Sequence, residues 1–248
     1  MPTLHLLGTG AALSDASRTT TMLAFESAGS AIVVDCGGDV VQRLMAAGID
    51  PDRIEALVVT HEHADHVSGF PLFMEKVWLA GRRRPVPVHG PAPALSQARR
   101  IWEAFDTGGW EGVPEILWRE VALEEGAVVL ESDAWHVTAA PGTHSVPVIG
   151  VRVEDRRGSG VAAYSCDTEE SDAIARLARG ADLLVHEATG GFGGHTSVEG
   201  AARVAARAEA GRLVLVHLPP EVGGEELARA RETFPRVELG EDGARYEF

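Results

Sequence analysis

The sequence predicts an α/β protein built as a four-layer αββα sandwich. Three observations carry this. Strand-like apolar runs fall in two groups with helical stretches around them, the pattern of two packed sheets covered on both outer faces. At 248 residues, 45% of them hydrophobic, the chain can bury a large core. Histidines and aspartates recur directly after the apolar runs, where a layered α/β fold gathers its site.

Taken in order, strands are expected over 3–8, 22–26 and 31–35, the last formed by the run Ala31 to Val34 and ending on Asp35. A helix over 39–47 leads to a strand over 56–60, built on Ala56-Leu57-Val58-Val59. From Ala64 to Leu79 apolar residues recur at helical intervals, which predicts a helix over 66–80. A strand at 86–89 and a helix at 93–105 complete the first group. The second group runs 115–122, 127–131, 134–140, 147–154 and 160–165, with a helix at 169–179. The tail reads strand 182–187, helix 197–209, strand 212–217 and helix 224–233. Thr196-Ser197-Val198-Glu199 is a capping-box pattern opening the helix at 197. With no internal repeat, low-complexity stretch or long linker, a single domain over 1–248 is expected.

Composition narrows the function. Net charge is −15, and a protein that grips a long polyanion normally presents a basic face, which this chain lacks in excess. Arg82-Arg83-Arg84 and Arg99-Arg100 are local basic patches that read as solvated surface charge. No apolar run approaches a membrane span, and the N-terminus lacks the features of a signal peptide, so a cytoplasmic location is expected. Two cysteines, Cys36 and Cys166, are too few for a disulfide framework and fit a reducing compartment. Leu7-Gly8-Thr9-Gly10 begins like a dinucleotide-binding loop but lacks the third glycine, and is better read as a loop lining the site. The only lysine, Lys76, follows Glu75, so there is no Walker loop, and no Gly-x-Ser-x-Gly elbow marks a serine hydrolase.

The chemistry is concentrated in His61-Glu62-His63-Ala64-Asp65-His66. Water activation by a transition metal at neutral pH needs rigid imidazole and carboxylate ligands, and the hexapeptide offers four directly after an apolar run. If His61 and His63 leave a strand in extended conformation, they share a face and grip one ion. Asp65 and His66 then fall where a helix begins and turn toward a second. A polar cluster at a strand end is the plain alternative, but four potential ligands in six residues weigh against it.

The hexapeptide has the His-x-His-x-Asp-His form of the metallo-β-lactamase superfamily. The whole chain resembles that superfamily's ribonuclease Z-like phosphodiesterase branch. The resemblance includes Val34-Asp35-Cys36-Gly37, Thr143-His144-Ser145, Cys166-Asp167-Thr168, His186-Glu187-Ala188-Thr189, Gly194-His195-Thr196-Ser197 and Val216-His217. It implies the metallo-β-lactamase fold and two zinc ions, with manganese or iron as substitutes that imidazole and carboxylate also suit. His61, His63 and His144 would hold the first ion, Asp65, His66 and His217 the second, and Asp167 would bridge them. The implied activity is phosphodiester hydrolysis, nuclease-like, through a hydroxide shared by the ions, with Asp65 orienting or deprotonating the water. His195 would protonate the leaving oxygen, a task suited to a side chain that titrates near neutral pH beside a helix start. A homodimer is also implied.

Two departures bear on the substrate. Cys166 stands where the family usually has glycine, and is read as a buried bystander facing away from Asp167. Only 23 positions separate His144 from Asp167, an interval that in true ribonuclease Z carries the long arm gripping transfer RNA. A small phosphodiester is therefore at least as well supported as an RNA-like substrate. The alternative on the same metal site is a lactonase, or a carboxylic ester or thioester hydrolase. His186, Glu187 and Asp35 are candidate supports for the ligands, whereas His5, His89 and His136 match no ligand position. The Gly-rich segment from Asp106 to Pro114, with Trp110, is a candidate lid or dimer contact.

Overall fold

A computed structural model describes residues 1–158 and 160–248. Among them, β1 (Thr3–Gly8), β2 (Met22–Ser27), β3 (Ser30–Val34), β4 (Ile54–Val58), β5 (Val86–Gly90), β6 (Ile116–Glu120) and β14 (Arg245–Glu247) form one sheet in the order β14-β1-β2-β3-β4-β5-β6. The second comprises β7 (Ala127–Glu131), β8 (Trp135–Pro141), β9 (Ile149–Asp155), β10 (Val161–Tyr164), β11 (Leu183–Glu187), β12 (Leu213–Val216) and β13 (Val237–Leu239), ordered β13-β12-β11-β10-β9-β8-β7. Pairing is parallel from β3 to β6 and from β10 to β13, and antiparallel elsewhere.

The period-two alternation of the strands builds the layers. In β3, Ile32 and Val34 face the core between the sheets while Ala31 and Val33 face outward under helices. In β12, Val214 and Val216 point inward and Leu213 and Leu215 outward. The outward face of the first sheet packs on α1 (Val40–Ala46), α3 (Phe70–Leu79) and α4 (Ala92–Glu103), whose Leu44, Phe73 and Ala98 are buried there. That of the second packs on α5 (Asp172–Leu177), α6 (Val198–Arg207) and α7 (Gly224–Thr233) through Ile174, Val204 and Ala230. Between the sheets Trp135 is fully buried, and its indole Nε1 donates to Ser30 Oγ at 2.9 Å, tying the two together. These are the four layers that the strand grouping predicts.

Four local expectations change. The helix expected over 66–80 is two, α2 (Ala64–Val67) and α3, because the Gly69 amide leaves the helix to donate to Cys36 O and Pro71 starts α3 without an amide hydrogen. The helix expected over 169–179 shrinks to α5, since Ser171 caps it and the Glu169 amide is bound to Thr143 O. At α6 the cap is Ser197, which accepts from the Gly200 amide, while the Thr196 hydroxyl donates to Thr168 O. Strands β13 and β14 were not expected; at three residues each they are too short to show alternation.

The basic patches are exposed charge, as expected, except at Arg82. Arg82 is buried and its guanidinium donates to the carbonyls of Ile54 and Pro85 at 2.8 Å and of Arg84 at 3.3 Å, so it staples the starts of β4 and β5 together. Burial lowers its pKa to about 10. Arg84 pairs with Asp52, Arg83 donates to Trp78 O at 3.1 Å, and Arg99 lies over the Trp118 ring. The segment Asp106 to Pro114 packs against α3 and α4, with Trp110 stacked on Trp78 at 4.9 Å and edge-on to Trp102.

Candidate metal centre

The site lies where the C-terminal ends of β3, β4, β10, β11 and β12 converge. Three residues that follow these strands have left-handed backbone without being glycine: Asp35 (φ 64°), Cys166 (φ 53°) and His217 (φ 53°). Such conformations cost on the order of 1–3 kcal/mol each and persist where surrounding bonds over-determine them. The bonds are present. Asp35 accepts from the Thr60 amide at 2.8 Å, and the His217 amide donates to Thr21 Oγ1 at 3.1 Å. The Thr9 to Ala11 loop pairs with Leu218 and so braces the His217 segment from behind. A close approach fixes the hexapeptide: a Cβ on Gly37 would lie 1.7 Å from Asp65 O, so only glycine lets the turn after β3 pass beneath α2.

All seven expected ligands come together, with His195 beside them. His61 Nε2 is 3.1 Å from His63 Nδ1, which is 3.2 Å from His144 Nε2. His66 Nε2 and His217 Nε2 are 3.4 Å apart, and Asp65 Oδ2 lies 3.5 Å and 3.2 Å from them. Asp167 Oδ2 stands between the groups, 3.8 Å from His61, 3.5 Å from His66 and 3.4 Å from His217, and its Oδ1 is buried with no protein partner. Nitrogens this close, with few acceptors among them, are a donor set for cations, and the orphaned Oδ1 asks for one. The residues fit a divalent metal.

In three of the histidines the ring nitrogen facing away is secured, which favours the tautomer with its lone pair inward. His66 Nδ1 donates to Asp35 Oδ2 at 2.8 Å, His144 Nδ1 to Gly194 O at 2.8 Å and His217 Nδ1 to Thr189 Oγ1 at 2.6 Å. Gly194 must approach closely with φ +87°, since a Cβ there would meet His144 Nδ1 at 2.7 Å. His61 Nδ1 lies 3.2 Å from Thr60 Oγ1 and 3.5 Å from Cys166 Sγ, and the thiol donates to Thr60 Oγ1 at 2.8 Å. Cys166 thus sits behind His61, on its outer nitrogen, as a buried thiol whose pKa is pushed up by burial.

Burial drives the His61 and His63 pKa values down, keeping them neutral as ligands must be. Burial opposes charge on His66 too, but Asp167 and Asp35 outweigh it and raise its pKa. For Asp65, burial is outweighed by hydrogen bonds with His217 and His66, which hold its carboxyl well below the usual range. Asp167 is held low in the same way, the charges of His217 and His66 overcoming burial. Asp35→Ala frees the His66 ring, and metal affinity is expected to fall about 10–100-fold while the protein stays folded. Metal titration of the variant, with circular dichroism on the same sample, checks this.

His195 is built differently from the ligands. Its Nδ1 donates at 3.0 Å to Oε1 of the fully buried Glu187, which also accepts from the amides of Thr168 and Thr196, while Oε2 accepts from Thr189. The hydrogen bond to Glu187 raises the His195 pKa above its ordinary value, against partial burial. Glu187 therefore supports His195 rather than a ligand. His186 points elsewhere, its Nδ1 held by Glu187 O at 2.8 Å. His5, His89 and His136 take no part: His5 and His136 pair with Glu26 and Glu131, and His89 is buried with a pKa lowered to about 4. The sequence assigns no role to Thr60, which precedes His61, or to Thr189, which ends the His186-Glu187-Ala188-Thr189 motif; a threonine there carries no signal of its own.

A sandwich of two mixed sheets with a histidine and aspartate cluster at the strand ends defines a metal-dependent hydrolase. The chain belongs to the β-lactamase superfamily domain family, whose model matches residues 30–218. It is similar to the ribonuclease Z of Mycobacterium sp. (strain KMS), 35% identical with 98% of this chain and 94% of that protein covered. It is also similar to the ribonuclease Z of Methanothermobacter thermautotrophicus, 29% identical with 98% and 95% covered. The second alignment spans 299 positions against 248 residues, so that relative carries insertions this chain lacks. Among solved structures, the metallo-β-lactamase fold protein YhfI from Bacillus subtilis superposes with a TM-score of 0.83 at 22% identity, each chain fully covered. The short form of human tRNase Z gives 0.81 at 24%, covering 99% of this chain and 98% of its own.

Proposed function

We propose that the chain acts as a single-domain, dinuclear zinc phosphodiesterase on a small phosphodiester or RNA-like substrate. The observation that carries this is Asp167 Oδ2, set between two histidine groups, with His195 donating its Nδ1–H to Glu187 alongside. His61, His63 and His144 would hold one ion, Asp65, His66 and His217 the other, and Asp167 both. When bound, the ions supply Lewis acidity that lowers the pKa of water and offsets charge on the phosphoryl group. Asp65, with its carboxyl held far below the usual range, is suited to orienting the attacking water by accepting its hydrogen bond, rather than to storing its proton. His195 gives its proton to the leaving oxygen, and Glu187 stabilises the charge before transfer. Two free thiols support a cytoplasmic setting. Exposed Leu79, beside Trp78 on α3, and exposed Phe105, just beyond α4, support a homodimer.

Removal of metal by a chelator is expected to abolish diester hydrolysis, and zinc to restore it with about two ions per chain. Metal analysis across the titration checks this: activity that survives in metal-free protein contradicts the reading.

A further inference from the structure

The loop that carries His195 also displays an aromatic ring to solvent. Phe192, in Gly190-Gly191-Phe192-Gly193-Gly194, is 65% exposed. It is not on a slack loop: the Phe192 amide donates to Gly190 O at 2.9 Å, the His195 amide to Phe192 O at 3.1 Å, and the Gly190 amide to Thr196 O at 3.1 Å. These bonds hold the Phe192 ring centroid 6.1 Å from that of His195. Ring and imidazole open on one cavity of about 400 Å³, lined also by Glu169, Glu170 and Ser197, whose only member from the metal centre is His195. Glu170 is paired with Arg203, whereas the Glu169 carboxylate is exposed and has no ion pair among the described residues.

We propose that this cavity is the leaving-group subsite, and that it takes a nucleoside: an uncharged alcohol with a flat base to stack on Phe192 and hydroxyls to donate to Glu169. This rests on the phosphodiesterase reading. A His195 ring nitrogen lies within 4.8 Å of ligand atoms of Asp167 and His217, so an oxygen that takes its proton sits at the metal centre, and the group that leaves with it runs past the ring into the adjoining cavity. A base stacked on an aromatic side chain binds through its face, and the exposed Phe192 ring leaves its surface open for that beside His195. Charge opposes the alternative: a polynucleotide strand leaving through this cavity would bring its next phosphate against the Glu169 carboxylate, which no cation offsets among the described residues. The reaction balances as hydrolysis. Water oxygen bonds to phosphorus as the phosphorus–nucleoside oxygen bond breaks, His195 protonates the departing oxygen, and the proton lost by the water to solvent is matched by one that solvent returns to His195.

The test compares steady-state kinetics of the zinc-loaded enzyme on adenylyl-adenosine, hexa-adenylate and bis(p-nitrophenyl) phosphate. Adenylyl-adenosine is expected to exceed hexa-adenylate in kcat/KM per bond by at least about tenfold, and Glu169→Gln to narrow that gap. Phe192→Ala is expected to raise KM for adenylyl-adenosine about tenfold with a smaller change in kcat, and Phe192→Trp to restore it. Equal turnover of hexa-adenylate, or an unchanged KM in Phe192→Ala, overturns the subsite while leaving the phosphodiesterase reading intact. Failure of the parent enzyme on all three diesters overturns that reading itself.

Discussion

Asp167→Ala is expected to lower kcat for diester hydrolysis by about four orders of magnitude, the scale seen when one member of a catalytic unit is removed. The residue is buried, and its Oδ2 is the only carboxylate oxygen in the described structure within 4 Å of both His61 and the His66–His217 pair. Removing it empties the position between the two groups and leaves His66 and His217 facing each other at 3.4 Å with a counter-charge gone. His217→Ala is expected to have a similar effect by opening the second group. Both variants should remain folded, because neither side chain is a member of the three apolar cores. Metal content, circular dichroism and kcat measured together check this. A folded variant of either kind with full activity contradicts the assignment.

His195→Ala is the second large effect, expected to cost about 10²–10⁴-fold in kcat for an alkyl leaving group. The loss should be much smaller for p-nitrophenolate, which leaves without a proton. The pH profile gives the sign. The Glu187 hydrogen bond raises the His195 pKa, so the acid form persists to higher pH than in an ordinary histidine and activity falls as pH rises through the raised value. Glu187→Gln removes the main cause of that shift and should move the alkaline limb to lower pH. The same pairing stabilises the fold fully below the ordinary histidine pKa, and that contribution is lost as pH rises through the raised one. An alkaline limb that persists unchanged in His195→Ala would show that another group carries the proton.

Much of this was legible before the structure. The unbroken apolar runs Ala31 to Val34 and Ala56 to Val59 marked strands, and the ligands follow those runs because parallel strands bring their C-terminal ends to one edge. What was hidden depends on tertiary contact. Nothing in Cys166 announces a left-handed backbone, nor that its thiol would sit behind His61. Arg82 reads as surface charge in an Arg-Arg-Arg run, and only the approach of the Ile54 and Pro85 carbonyls makes it a staple. The break between α2 and α3 follows from Cys36 O competing for the Gly69 amide, a contact from a distant turn. Glu187 looked like a support for the ligands; the path of the glycine loop brings His195 to it instead.

The most direct test of the account is turnover of bis(p-nitrophenyl) phosphate against a p-nitrophenyl carboxylic ester and a lactone by one metal-analysed preparation. Diester hydrolysis with about two metal ions per chain, outcompeting the other two substrates, is the predicted result. Hydrolysis of the ester or lactone alone, with the same metal content, would contradict it.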